Sequence, residues 1–203
     1  MNVENNMKIE CPVEVIPSHV HLSFQDQEIL FGKDYSFLYT QPLSQYGQWV
    51  ATQESLFIEG PKGQQSIFVM GPNRLQTQVE LTEADLKITG LCAPLRRSGD
   101  LSGSGSCVLK GHKGPLVLNE GLIVPEPHLH ISVSEAKLYG WKNHDRISLT
   151  IIRPIEIIIS VIIRIHPSFT FTLHMTSDQI SEHNNLVLNT FYPKWTIDLS
   201  SYV

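Results

Sequence analysis

Twice along 203 residues the chain spells histidine, any residue, histidine, aliphatic, serine, and the next ten or so residues after each copy are also alike. The first copy is His19-Val20-His21-Leu22-Ser23, then Asp26, closed by Phe31-Gly32. The second is His128-Leu129-His130-Ile131-Ser132, then Glu135, closed by Tyr139-Gly140. On an extended segment side chains alternate between faces, so each histidine pair shares one face and the aliphatic between them takes the other. Serine with an acid three residues on is the signature of a helix start, through Ser23 with Asp26 and Ser132 with Glu135. Gly32 and Gly140 stand where such helices would stop. Each copy therefore predicts a strand, a tight turn, a short helix and a stop.

Most of the remaining chain reads as short strands. Ser55 to Glu59, Ser66 to Met70, Gln78 to Leu81, Val108 to Leu109, Leu116 to Leu118, Arg146 to Ile152, Ile155 to Ile165 and Phe169 to Leu173 are rich in β-formers. Glycine, proline or polar residues cut them apart, as at Gly60-Pro61-Lys62-Gly63 and Gly71-Pro72-Asn73. The expected fold is mainly β: two similar small β-barrel units, each with a short helix, related by the internal repeat. Their expected extents are residues 13–105 and 106–203. The Gly- and Ser-rich stretch from Ser98 to Gly121 marks the boundary, or a loop that wraps a ligand.

Composition narrows the classes. Hydrophobic residues at 41% and charged residues at 17% describe a folding chain rather than a disordered one. A net charge of −5 argues against a general grip on nucleic acid, while leaving room for a local basic pocket. Cys11, Cys92 and Cys107 are odd in number and widely spaced, which fits reduced, small apolar residues rather than a disulfide framework or a cysteine zinc site. The segment Ile147 to Ile165 is interrupted by Arg153, Pro154, Glu156 and Arg164, so it is expected as buried strands rather than a membrane span. Met1 to Glu10 lacks an apolar signal core. The expected place is the cytoplasm, with no membrane and no nucleic acid as partner.

Imidazole is the commonest metal-binding side chain, and two histidine pairs supply four of them. A single pair reads as two polar residues on a solvated strand face. Two pairs in matching contexts leave a metal site and that plainer reading both open.

A set of motifs then points to a family. Beyond His19 to Ser23 come Gly71-Pro72-Asn73-Arg74-Leu75-Gln76-Thr77-Gln78-Val79-Glu80 and Ala93-Pro94-Leu95-Arg96-Arg97-Ser98-Gly99-Asp100. Glu120-Gly121-Leu122-Ile123-Val124 leads into His128 and His130, and a last block carries His174. In this order, from about Val15 to about Asp178, the chain resembles the PduL-type phosphate propanoyltransferases, a phosphotransacylase family. The resemblance implies an acyltransferase that interconverts short-chain acyl-CoA (propanoyl-CoA or acetyl-CoA) plus phosphate with acyl phosphate plus coenzyme A. It implies a dinuclear zinc site, two Zn2+ per chain, with His19, His21, Glu80, His128, His130 and His174 as ligands. It implies Arg74 and Ser98 as phosphate contacts, with Arg96 as a further candidate and Arg74 and Glu80 as catalytic residues. It also favours a homodimer. The other histidines, His112, His144, His166 and His183, are expected at the surface.

The chain departs from the family in two places. A basic residue usually precedes each histidine pair, where this chain has Ser18 and Pro127. The segment Met175 to Ile180 has drifted from the family's acidic run. An alternative reading is therefore a catalytically weakened, zinc-containing module that binds coenzyme A or acyl-CoA, and a third is a zinc hydrolase. Some family members enter bacterial microcompartments through an amphipathic N-terminal extension. Met1 to Pro12 is too short and polar to read as one, so a free cytosolic enzyme is as well supported as a microcompartment-associated one.

Overall fold

A computed structural model of the chain describes residues 7–153, 156–181 and 194–202. In chain order the elements are β1 (Lys8–Val15), β2 (His19–His21), α1 (Phe24–Phe31), β3 (Tyr39–Pro42), β4 (Trp49–Gly60), β5 (Gly63–Gly71), β6 (Gln78–Glu80) and α2 (Glu83–Thr89). After these come β7 (Leu95–Arg96), β8 (Gly105–Lys110), β9 (Pro115–Pro125), β10 (His128–Ile131), α3 (Val133–Tyr139), β11 (Arg146–Arg153), β12 (Ile157–Ile165), β13 (Thr172–Met175), α4 (Ser177–Ser181) and β14 (Lys194–Asp198).

Two compact units result. In Pro17–Pro125 the pairing runs β4, β5, β2, β6, β9, β8 and back to β4, a closed six-stranded barrel, with β3 added beside β4 and β7 beside β9. The other unit joins the stretch ending at Ile16 to the stretch from Glu126, and its barrel runs β1, β13, β10, β12, β11, β14 and back to β1. The two rings share one pattern. Each histidine strand, β2 or β10, lies parallel to one neighbour (β5 or β12) and antiparallel to another (β6 or β13). That second neighbour lies parallel to β9 in one ring and to β1 in the other. The mainly β, two-barrel expectation is met.

The units are not consecutive halves, however, and so differ from 13–105 and 106–203. The strand that precedes each histidine pair closes the ring that holds the other pair: β1 precedes β2 but sits beside β13, and β9 precedes β10 but sits beside β6. Strand β8, which runs past residue 105, also closes the ring of the first unit. Ring closure uses the backbone groups that an open sheet would leave unpaired.

The histidine strands are buried on both faces. Val20 and Leu129 point into the two cores, where they are fully buried with Leu56 and Val79 in one unit and Leu173 and Trp195 in the other. Burial of such a side chain contributes about 1.5–3 kcal/mol. The histidines take the opposite face, as alternation requires, and His19, His21 and His130 are buried there too.

Both expected helices form. Ser132 and Glu135 make the full reciprocal capping box, and Gly140 stops α3 in the left-handed conformation at φ 70°. The first copy is only half a box. Ser23 accepts from the Asp26 N–H, but its own N–H donates to Thr77 Oγ1 at 2.8 Å, and the Thr77 hydroxyl in turn donates to the Asp26 carboxylate. Thr77 has been inserted into the box, which ties the segment before β6 to α1. Gly32 ends α1 at φ 103° and ψ 159°, outside the left-handed helical region.

Each unit also carries a second helix that the sequence reading did not anticipate. Thr82 caps α2 by accepting from the Asp85 N–H, and Thr176 forms a reciprocal pair with Gln179 at the start of α4. The drifted segment from Met175 to Ile180 is thus the end of β13 and a capped helix start. The Ile-rich stretch forms antiparallel β11 and β12, residues 154–155 lying outside the described residues. Strand β13 begins later than the expected Phe169. Among the described residues no helix is long and apolar enough to cross a membrane.

Candidate functional site

In the first unit β2 and β6 are antiparallel with His19 opposite Glu80, which sets the two side chains on one row. His19 Nδ1 lies 2.8 Å from the Pro17 carbonyl oxygen. A carbonyl only accepts, so Nδ1 carries the proton, and in the neutral ring Nε2 holds the lone pair. That Nε2 faces Glu80 Oε2 at 3.5 Å. Two electron-rich atoms at this spacing suit a shared cation, since zinc bonds of about 2.0–2.2 Å in tetrahedral array set ligands roughly 3.3–3.6 Å apart. The His21 ring is 5.1 Å from that of His19, and its buried Nδ1 lacks a hydrogen-bond partner of acceptable geometry. Burial, and then the Arg74 charge, hold His21 well below the ordinary histidine value, so it is a neutral imidazole ready to act as a ligand.

A polar chain leads from Glu80 to Arg74. Gln78, fully buried two residues before Glu80 on the same strand face, donates to the Glu80 carboxylate and, at 2.9 Å, to Ser98 Oγ. Its carbonyl accepts the Gly99 N–H at 2.8 Å, which pins a turn whose φ of 95° suits glycine. Arg74 Nη1 donates to the same Ser98 Oγ at 3.2 Å. The Arg74 backbone N–H is fixed to the Leu22 carbonyl at 2.9 Å, directly after the histidine pair. Burial pulls the Arg74 guanidinium below the ordinary arginine value, and Glu80 opposes the shift, so the group keeps its charge in a half-buried place. Arg96 pairs with Asp100 at 3.6 Å, both partly exposed.

In the second unit the register sets His128 opposite His174, and His130 opposite Thr172. His128, His130 and His174 offer ligand atoms that all lie within 4.8 Å of one another. Among the described residues this is the group of three or more metal-binding side chains. Ring centroids stand 4.3 to 5.1 Å apart. His128 repeats the arrangement at His19: its Nδ1 donates to the carbonyl two residues earlier, Glu126, at 2.9 Å. Nδ1 of His130 is buried without a hydrogen bond. Burial first, and then His174 and His128, hold His130 well below the ordinary histidine value. A buried His130 held neutral, a His128 whose Nδ1 is tied to a carbonyl, and His174 beside them form a group that could hold a divalent metal, which tolerates protonated ligands poorly.

The structure thus brings His19, Glu80, Arg74 and Ser98 into one unit's network, and His128, His130 and His174 into a cluster of the other. His112, His144 and His166 are exposed, and His183 lies outside the described residues. Cys92 is exposed rather than buried, whereas burial pushes the Cys11 and Cys107 thiols up to about 12. Ser18, one of the departures, serves the fold: its hydroxyl donates to Asp85 at 2.5 Å and accepts the Thr82 N–H at 3.0 Å. The sequence reading missed Gln78 and Thr77 as organising residues. Their signal was position alone, inside the block that ends at Glu80.

A double β-barrel with histidines on paired strands and a cluster able to hold a metal defines the class. A family profile described as phosphate propanoyltransferase matches residues 12–185. A phosphate propanoyltransferase of Thermotoga maritima is 37% identical over 181 residues, covering 88% of this chain and 84% of the relative. One of Priestia megaterium is 39% identical over 171 residues, covering 83% and 78%, and one of Clostridioides difficile is 35% identical over 182 residues, covering 87% and 86%. The chain belongs to the phosphate propanoyltransferase family, whose members are acyltransferase enzymes.

Proposed function

We propose that this chain transfers a short acyl group, propanoyl or acetyl, between coenzyme A and inorganic phosphate. Two Zn2+ ions per chain serve it, one held by His19 and His21, the other by His128, His130 and His174, with Glu80 joining the ligand set. The observation that carries the reading is the half-buried Arg74 guanidinium, held beside Ser98 in a polar network that also contains Glu80 and His19. A planar fork next to a hydroxyl suits a tetrahedral oxyanion. The relatives' name, phosphate propanoyltransferase, supports phosphate as that anion and a propanoyl thioester as its partner.

Arg74 and the Ser98 hydroxyl hold phosphate, while Gln78 keeps the Ser98-Gly99 turn in place. A phosphate oxygen attacks the thioester carbonyl carbon, the carbon–sulfur bond breaks, and coenzyme A leaves as a thiolate that takes up a proton. Bound zinc supplies a Lewis acid for the carbonyl oxygen and a stabiliser for the thiolate. No protein nucleophile is needed, and the buried, high-pKa thiols of Cys11 and Cys107 are unsuited to be one.

The test is to monitor acyl phosphate by 31P NMR in propanoyl-CoA and phosphate. Acyl phosphate is expected from the wild type. Arg74→Lys, which loses the fork, should lower kcat/KM for phosphate by about 10–100-fold with a smaller change for propanoyl-CoA. Thioester cleavage without phosphate would instead identify a hydrolase.

A further inference from the structure

The row of side chains that holds His174 continues one strand further. Strand β13 pairs with β10 on one side and with β1 on the other, and the register runs His128 opposite His174 and His174 opposite Glu14. Glu14 is 2% exposed, and its Oε2 lies 2.8 Å from His174 Nε2. This is hydrogen-bond distance, shorter than the 3.5 Å between His19 and Glu80. A carboxylate only accepts, so Nε2 of His174 carries a proton, and in the neutral ring that a metal requires Nδ1 is the lone-pair atom.

The molecule contains its own control. The equivalent row in the first barrel runs His19 opposite Glu80 and Glu80 opposite Ile123. Ile123 stands five residues before His128, as Glu14 stands five before His19, and Ile123 is fully buried. The barrel therefore accepts an apolar side chain at this position. A buried carboxylate there is costly unless it is paired, and replacing such a pair by apolar groups is commonly neutral or stabilising.

We infer that Glu14 is a positioning residue for the second metal centre: it holds the Nε2–H of His174 so that Nδ1 is turned to the metal, and it raises the basicity of that ring. Carboxylate, histidine and metal in series is a general way of fixing a ligand's tautomer and orientation. The inference rests on the zinc reading above. It also predicts an asymmetric centre, with His128 offering Nε2, because its Nδ1 is bonded to the Glu126 carbonyl, and His174 offering Nδ1.

Two measurements test it. Long-range 1H–15N spectra of the zinc-loaded wild type, labelled in histidine, should show His174 protonated at Nε2 and metal-bound at Nδ1. A metal-bound Nε2 would overturn the assignment. Zinc affinity at the second centre is then measured against a chromophoric chelator in a His19→Ala/His21→Ala background. Glu14→Gln, nearly isosteric, and Glu14→Ile, the other barrel's residue, should each weaken zinc binding, the latter by about 10–100-fold. Unchanged affinity in folded Glu14→Gln and Glu14→Ile proteins would overturn the role while leaving the zinc reading intact. A wild type that binds no zinc would fell both.

Discussion

Replacing Gln78 by leucine separates a site held together by one buried amide from a site whose parts stand alone. The Gln78 side chain makes three contacts at once, to the Glu80 carboxylate, to Ser98 Oγ at 2.9 Å and to the Gly99 N–H at 2.8 Å. Leucine keeps the approximate volume and removes all three. Ser98 retains Arg74, but Glu80 loses a donor and the Gly99 N–H loses its acceptor. Two polar groups left unsatisfied at about 1–3 kcal/mol each give a loss of about 2–6 kcal/mol. For a chain of this length that lowers Tm by roughly 4–24 °C. The local signature is sharper than the global one. Hydrogen exchange at the Gly99 amide should accelerate, and KM for phosphate should rise, because the Ser98-Gly99 turn is no longer pinned. Gln78→Glu should do worse still, setting a second carboxylate beside Glu80. A Gln78→Leu protein with wild-type Tm, wild-type exchange at Gly99 and unchanged KM would refute this role for the buried amide.

Ser132→Ala removes the reciprocal box at the start of α3 and should cost about 1 kcal/mol, seen as a lower Tm in thermal melts. Thr77→Val keeps the shape but strips the Ser23 N–H of its acceptor; a loss of about 1–3 kcal/mol in chemical denaturation is expected, with the α1 amides exchanging faster. Native protein should react with a thiol reagent once per chain, at Cys92, and three times when unfolded. Cys11 and Cys107 have folded pKa values raised from 9.0 to about 12 by burial, so their contribution to stability is whole below pH 9.0 and is lost as pH rises through about 12. Melts across that window should show a smaller alkaline loss in the Cys11→Ala/Cys107→Ala protein than in the wild type.

The parts of the fold legible in the sequence were those with local causes. Alternation put each histidine pair on one face, and the serine-to-acid spacing found α1 and α3. The same logic would have found α2 and α4, since Thr82 with Asp85 and Thr176 with Gln179 have that spacing, but strand-like neighbours masked them. The exchange of β1 and β9 between rings was not legible, because it is decided by partners far off in sequence: Glu14 faces His174. Strand β1 itself was hidden by Pro12, which has no N–H to give a ladder. At the candidate site, the two histidine pairs stood out by type and spacing, while Glu80 and His174 were picked out only by the family resemblance. Gln78 and Glu14 did not stand out, because a polar residue on a strand normally faces water. Only burial of the histidine face itself turns them into partners of Glu80 and His174. Arg96 carried the right chemistry, and its pairing with Asp100 emerged only in three dimensions.

The central claim is phosphate-dependent acyl transfer on a metal-bearing chain, and coenzyme A release tests it most directly. Protein with its metal content quantified is given propanoyl-CoA or acetyl-CoA, with and without phosphate. The predicted result is release that requires phosphate, in protein carrying about two zinc ions per chain, in line with two-metal catalysis. Zinc-loaded protein that releases no coenzyme A on adding phosphate would contradict the claim and leave a binding module of the same fold.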